Sequence, residues 1–367
     1  MKNIKTIFMM IATLFVGSQT IALNKQDNVL FDAIERNNYK KVQESINAGA
    51  HVNAVGNDSF TPLHFAAEYN SNKEVTRLLI NAGANVNAVD LYGTTPLHFA
   101  AIYNNNEVVK LLIDAGAHVN AVDLNGTTPL HFAAQDNSAE DNSNEEVTRL
   151  LINAGADVNA VNIDSETPLH FAAEDNSNEE VTRLLINAGA HINAINIYGQ
   201  TPLHCAAEYN SNEEVTRILI NAGADVNAVN IDGRTPLHFA AEDNSNEEVT
   251  RLLINAGADV NAVDNDSETP LHFAAEDNSA EDNSNEEVTR LLINAGAHVN
   301  AINIHGDIPL HCAAKYNSEE VTRLLINAGA DINAINIYGE TPLDCAAENN
   351  SNKVAKILVR FGAVSNQ

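Results

Sequence analysis

Tryptophan is absent from this chain, and aromatic residues make up only 5% of it. A core without large rings must close on small aliphatic side chains, so the deficit points to helices stacked closely through Ala and Leu in a thin, long core. Cations are also scarce: 20 Lys and Arg stand against 49 Asp and Glu, for a formal charge of -29. Phosphate recognition needs clustered Lys and Arg that displace counterions, which excludes nucleic acid and anionic membrane surfaces as partners. Cysteine occurs three times and proline nine, and every proline falls inside one recurring block. Long apolar runs are missing too. The run from Ile7 to Val16 falls short of the roughly 20 residues that a membrane span needs.

Motifs that carry chemistry are missing as well. There is no Gly-x-x-x-x-Gly-Lys phosphate loop, no Gly-x-Ser-x-Gly nucleophile turn and no His-Glu-x-x-His metal run. Asp264-Asn265-Asp266 begins like a calcium loop but lacks the Gly and Glu that would complete it. Cys205, Cys312 and Cys345 occupy the slot that Phe65, Phe99, Phe132, Phe171, Phe239 and Phe273 fill elsewhere, so they read as free packing thiols. These absences predict no catalytic residue, no metal and no cofactor. An enzyme or a calcium-binding protein is the disfavoured class.

What the chain does have is a ruler. The block Thr61-Pro62-Leu63-His64-Phe65-Ala66-Ala67 recurs with its first position at Thr61, Thr95, Thr128, Thr167, Thr201, Thr235, Thr269, Ile308 and Thr341, in steps of 34, 33, 39, 34, 34, 34, 39 and 33. A fixed period in this range marks a solenoid, whose units bury their apolar faces only by stacking on neighbours. Thr at the N-cap with Pro at the first helical position starts a helix, and Leu63, Ala66 and Ala67 share one face of it. Val75, Leu78, Leu79 and Ala82 mark a second helix, which Gly83 stops in the left-handed conformation. The polar segment from Asn87 to Thr94 is Gly-tipped, as a hairpin-like turn requires. The longer steps carry acidic inserts, seen at 137–144 and 278–285, which a turn tolerates because closure entropy grows slowly with length.

These motifs resemble the ankyrin repeat. Thr95-Pro96-Leu97-His98-Phe99-Ala100-Ala101, then Glu107-Val108-Val109-Lys110-Leu111-Leu112, then Ala115-Gly116-Ala117-His118-Val119-Asn120-Ala121 carry the likeness, which covers roughly residues 27–364. The resemblance implies an all-α solenoid of stacked antiparallel helix pairs with projecting hairpin loops. It also implies that His64, His98, His131, His170, His204, His238, His272 and His311 tie neighbouring repeats by hydrogen bonds. Ile308 replaces the capping Thr, at an expected cost of about 0.5–2 kcal/mol, and Asp344 replaces the His of the last block.

The expected organisation is a secretory signal over 1–22, an N-terminal capping repeat over 23–60, eight ankyrin repeats over 61–340, and a C-terminal capping repeat and tail over 341–367. Lys2 and Lys5, the short apolar run and Thr20-Ile21-Ala22 point to cleavage after Ala22, with Ser18 as the second choice and an uncleaved anchor as the alternative. Partner contact is expected where units vary while their surroundings repeat: Phe60 and Arg234 before the block, Tyr92, Tyr198, His305 and Tyr338 at hairpin tips, and Tyr69, Tyr103, Tyr209 and Tyr316 on first helices. Tyrosine offers contact area at low entropy cost and is enriched at interfaces. The function expected is an exported, secreted or periplasmic, monomeric module binding a protein with a basic surface through a concave groove, without membrane attachment once the signal is removed. Export of such a module resembles the secreted ankyrin proteins of host-associated bacteria, which implies a host protein as partner; the alternative is a periplasmic scaffold or protective factor for an enzyme of the same cell.

Overall fold

The computed structural model describes residues 23–69, 73–103, 105–135, 143–175, 179–209, 212–242, 247–276, 284–316 and 318–366. The leader expected over 1–22, the turn at 70–72, most of both acidic inserts and the side chain of Tyr69 lie outside the described residues. Among the described residues regular structure is all helical, with 20 α-helices and no strand. In chain order they are α1 (Lys25–Glu35), α2 (Tyr39–Asn47), α3 (Pro62–Tyr69), α4 (Lys73–Asn81), α5 (Pro96–Ile102), α6 (Asn106–Asp114), α7 (Pro129–Ala134), α8 (Ser143–Asn153), α9 (Pro168–Asp175) and α10 (Glu179–Asn187). There follow α11 (Pro202–Tyr209), α12 (Glu213–Asn221), α13 (Pro236–Glu242), α14 (Glu247–Asn255), α15 (Pro270–Ala275), α16 (Ser284–Asn294), α17 (Pro309–Lys315), α18 (Glu319–Asn327), α19 (Pro342–Glu348) and α20 (Asn352–Arg360). The chain divides into two compact units, Met1–Pro129 with Asn153–Ala156, and Leu130–Ile152 with Asp157–Gln367.

Within each unit the helix pairs repeat one pattern of burial. On α11 Leu203, Ala206 and Ala207 are fully buried, and on α12 Val215 and Leu219 are too. Each such Leu contributes about 1.5–3 kcal/mol from burial, and the small Ala pair lets neighbouring first helices approach. Second helices open on Glu pairs such as Glu179-Glu180, which complement the helix dipole. They close on glycine: Gly189 has φ 94° and Ala190 N–H donates to Leu185 O at 3.0 Å, the six-to-one bond of a Schellman end. The recurring Arg slot makes surface ion pairs, mostly within its own helix. Some cross between repeats, as Arg183 Nη2 does to Glu214 Oε1 at 2.8 Å. Exposed pairs of this kind contribute up to about 1 kcal/mol each.

The starts of α5 and α15 differ from the sequence expectation, whereas at α19 the Thr341 hydroxyl accepts the Asp344 N–H at 3.3 Å as expected. Thr95 holds the N-cap backbone conformation, but its hydroxyl makes no bond to the helix backbone; it lies 2.8 Å from His98 Nδ1 instead. The same ring nitrogen accepts the Thr95 N–H at 3.1 Å. At α5 and α15 the histidine ring satisfies the N-cap N–H. Ile308 accordingly retains its N–H bond to His311 Nδ1 at 3.1 Å and lacks only the hydroxyl contact, so its substitution costs less than a lost cap.

Candidate interaction surface

The histidine of each block reaches out of its own repeat. His204 accepts the Thr201 N–H on Nδ1 at 3.0 Å, and its Nε2 lies 3.2 Å from Arg234 O in the next repeat. A backbone N–H can only donate, so Nδ1 carries the lone pair, Nε2 carries the proton, and the ring is neutral. Equivalent Nε2 contacts run from His64 to Thr94 O, His98 to Thr127 O, His131 to Glu166 O, His170 to Gln200 O, His238 to Glu268 O, His272 to Asp307 O and His311 to Glu340 O, all between 3.0 and 3.2 Å. Burial penalises the charged ring and pushes His64, His131, His170, His204 and His238 down to about 4; it lowers His272 and His311 in the same direction. Neutral, doubly bonded rings leave neither a metal ligand nor a general base on offer.

A second set of ties has no counterpart in the sequence reading. Asn159 Nδ2 donates to Gly189 O at 3.1 Å while its Oδ1 accepts His191 N–H at 2.7 Å, so one amide clamps both edges of the next helix end. Asn193 does the same to Gly223 O and Asp225 N–H, and Asn227 to Gly257 O and Asp259 N–H. The signal was present in the sequence as the unvarying Asn of each Val-Asn-Ala or Ile-Asn-Ala.

Hairpins are joined tip to tip. Leu124 N–H donates to Tyr92 O, Ile197 to Asp164 O, Ile231 to Tyr198 O, Ile304 to Asp266 O and Ile337 to His305 O, at 2.8 to 3.0 Å. An inward Asp or Asn caps each turn: Asn196 Oδ1 accepts both Tyr198 N–H and Gln200 N–H. Close approach explains the tip glycines, since a Cβ on Gly199 would stand 3.1 Å from Ile231 N. Ser165 and Ser267 occupy the same tip at φ 59° and 60°, where L-residues are strained.

The variable positions separate into two kinds. Phe60 and Arg234 are occupied internally. Phe60 lies 5.1 Å from the Phe99 ring and 5.6 Å from the Phe65 ring, while Arg234 donates to Glu242 at 2.7 Å with its guanidinium 4.2 Å over the Phe273 ring. Tyr198, Tyr209 and Tyr338 are more than half exposed, Tyr103 and Tyr316 somewhat less, and Tyr92 is half-buried. Tyr338 OH lies 3.2 Å from His305 Nδ1 with the rings stacked, and Tyr103 OH donates to Glu68 at 3.4 Å. Around these rings the second unit is acidic. Burial raises Glu268 and Glu276, and their neighbouring carboxylates add to it; burial and Glu208 likewise raise the Tyr209 phenol. Asp307 is the exception: burial opposes its charge, but Lys315 at 2.6 Å and Asn336 at 2.9 Å hold it below the usual range. Among the described residues no group of three or more His, Cys, Asp or Glu is arranged to hold a metal. The three cysteines are buried and unbridged.

Helix pairs tied by histidine, asparagine and hairpin bonds, with their varying side chains on tips and first helices, define a repeat solenoid built for surface contact. The sequence model for ankyrin repeats (3 copies) matches residues 30–123, 90–162, 130–230, 213–303 and 278–367, and the chain belongs to that family. No curated protein matches it. Ankyrin repeats are in general protein–protein interaction modules, and the family is generally non-catalytic.

Proposed function

We propose that this chain is an exported, monomeric, non-catalytic module that binds a protein with a basic surface, a host protein in the first instance. The observation that carries this reading is the exposure of Tyr103, Tyr198, Tyr209, Tyr316 and Tyr338, with Glu268 and Glu276 near Tyr316 raised first by burial and then by repulsion from neighbouring carboxylates. A cation placed there relieves that repulsion, and tyrosine rings supply contact area with little entropy loss. The Met1–Ala22 leader provides the export route, with cleavage after Ala22. The eight block histidines hold the repeats in register and take no part in binding.

The test is a pull-down with the processed chain and with a variant carrying Ser at Tyr92, Tyr103, Tyr198, Tyr209, Tyr316 and Tyr338. Loss of an identified partner with unchanged thermal unfolding is expected; undiminished affinity refutes the reading. Mass spectrometry of exported material tests the leader, and a retained Met1 refutes cleavage. Cell fractionation separates action outside the cell from service to a periplasmic enzyme.

A further inference from the structure

The hairpins carry a feature that recurs with one exception. On each arm a buried or half-buried capping residue is flanked by two exposed positions, and in the second unit these are aliphatic: Val161 and Ile163, Ile195 and Ile197, Val229 and Ile231. The pattern continues to Ile335 and Ile337 and is interrupted once, by Asn265. Side chains alternate across an extended arm, so each pair faces away from its capping Asn or Asp. The tip-to-tip bonds set successive pairs side by side.

These aliphatic residues are between 49% and 66% exposed. Together they present on the order of 1,000 Å² of apolar surface, more than the roughly 300–600 Å² of the largest patch on an ordinary monomer and comparable to the about 800 Å² that one partner buries in a standard interface. No Lys or Arg occurs in 157–165, 191–199, 225–233, 259–267, 298–306 or 331–339. The borders are instead acidic, with exposed Asp157, Asp225, Asp259 and Asp331 at the base of the arms and Asp232 and Asp266 at the tips. A second copy would bring these carboxylate borders together at a charge of -29 per chain, and an anionic bilayer is repelled in the same way. What complements the surface is an apolar strip bordered by cations.

We propose that this hairpin ladder docks a cationic amphipathic helix of a partner protein. Stacked helices repeat at about 8–10 Å, and an α-helix advances about 10.5 Å in seven residues, so apolar side chains at heptad spacing meet successive hairpins. Lysine or arginine beside that strip pairs with the Asp borders. The proposal rests on the chain being a protein-binding module, but it places the contact on side chains that repeat from unit to unit instead of on those that vary.

The test uses the full chain and a synthetic helix of Leu and Lys in heptads, 28 residues long, with poly-lysine of equal charge as control, in titration calorimetry at physiological salt. Expected are at least tenfold tighter binding of the Leu/Lys helix than of poly-lysine, a negative heat-capacity change, and weaker binding of a 14-residue version. Replacing Ile195, Ile197, Val229, Ile231, Ile302 and Ile304 by Thr should reduce the Leu/Lys helix to the poly-lysine level with thermal unfolding unchanged; Ile231→Thr alone gives a smaller loss and serves if the sixfold variant is unstable. Asp225→Asn with Asp232→Asn and Asp259→Asn should lower affinity several-fold and flatten its salt dependence. Equal binding by wild type and the Thr variant overturns the proposal, as does a wild-type dimer in sedimentation that the Thr variant lacks, or adsorption to phosphatidylcholine vesicles without discrimination between the peptides. A natural partner lost by the Tyr→Ser variant but kept by the Thr variant overturns the ladder and leaves the proposed function standing.

Discussion

Acid should take this fold apart near pH 5, well above the range in which most carboxylates are protonated. Block histidines such as His64, His170, His204 and His238 are neutral in the folded chain because Nδ1 faces a backbone N–H and Nε2 donates to the next repeat. Protonating Nδ1 sets two donors against each other in a buried site. With an ordinary unfolded value of 6.5 and a folded value pushed down to about 4, the unfolded state binds more protons throughout that window, so stability falls as pH drops from 6.5 to about 4. At pH 5 the loss is about 2 kcal/mol per ring, and for the five rings held near 4 it reaches about 10 kcal/mol, the size of a whole domain's stability. His272 and His311 act in the same direction. Asp90, Asp123, Glu268 and Glu276, raised by burial, oppose it, because their protonation favours the fold. Urea unfolding followed by far-ultraviolet circular dichroism at pH 8, 6 and 5 should show the midpoint collapsing between the last two. Long-range proton–nitrogen spectra of the imidazoles should show Nε2–H tautomers. A midpoint unchanged at pH 5, or rings titrating near 6.5, would refute the reasoning.

Four further outcomes follow from single contacts. Asn159→Ala removes both bonds to the neighbouring helix end and should cost about 1–2 kcal/mol, with faster amide exchange at His191. Thr182→Val should stabilise by about 1 kcal/mol, since the Thr182 hydroxyl is buried without a hydrogen-bond partner; a loss in thermal unfolding would contradict this. Gly199→Ala should destabilise by more than about 1 kcal/mol at a left-handed tip crowded by Ile231, whereas Ser267→Gly should stabilise by about 0.5–1 kcal/mol; equal effects would show that backbone conformation does not govern these tips. Burial raises the Cys205 and Cys312 thiols and pushes Cys345 up to about 12, so a thiol-specific reagent should label none of the three in the native chain and all three in guanidinium.

Position-specific signals carried most of the local structure. The Thr-Pro pair marks where α3 and its counterparts begin, and glycines such as Gly189 mark where second helices end, because each rule concerns only a few adjacent backbone groups. The candidate contact residues were less legible. Phe60 and Arg234 vary between repeats as Tyr198 and Tyr209 do, yet packing turns the first two inward onto Phe99 and Phe273. Variation along a sequence does not tell a side chain that drifts from one that has found an internal partner. Asp344 shows the converse: it stands where the last histidine would be, and the chain returns to it, with Ser365 Oγ at 2.6 Å and Asn366 N–H at 3.1 Å. Those bonds outweigh burial and hold its carboxyl below the usual range.

The sequence by itself determined the repeat, the helix pairs and the neutral, apolar character of their contact faces, since period and burial pattern are written residue by residue. Only the tertiary structure decided what each polar side chain does with its second bond. The resemblance implied that His204 ties its neighbour, but which backbone group its Nε2 meets, and the whole Asn159 clamp, depend on groups about 30 residues away that come within reach only once the helices have stacked. The same stacking builds the hairpin surface. It sets Val and Ile pairs that are separate in sequence side by side on the hairpins, and a row of individually unremarkable residues becomes a surface.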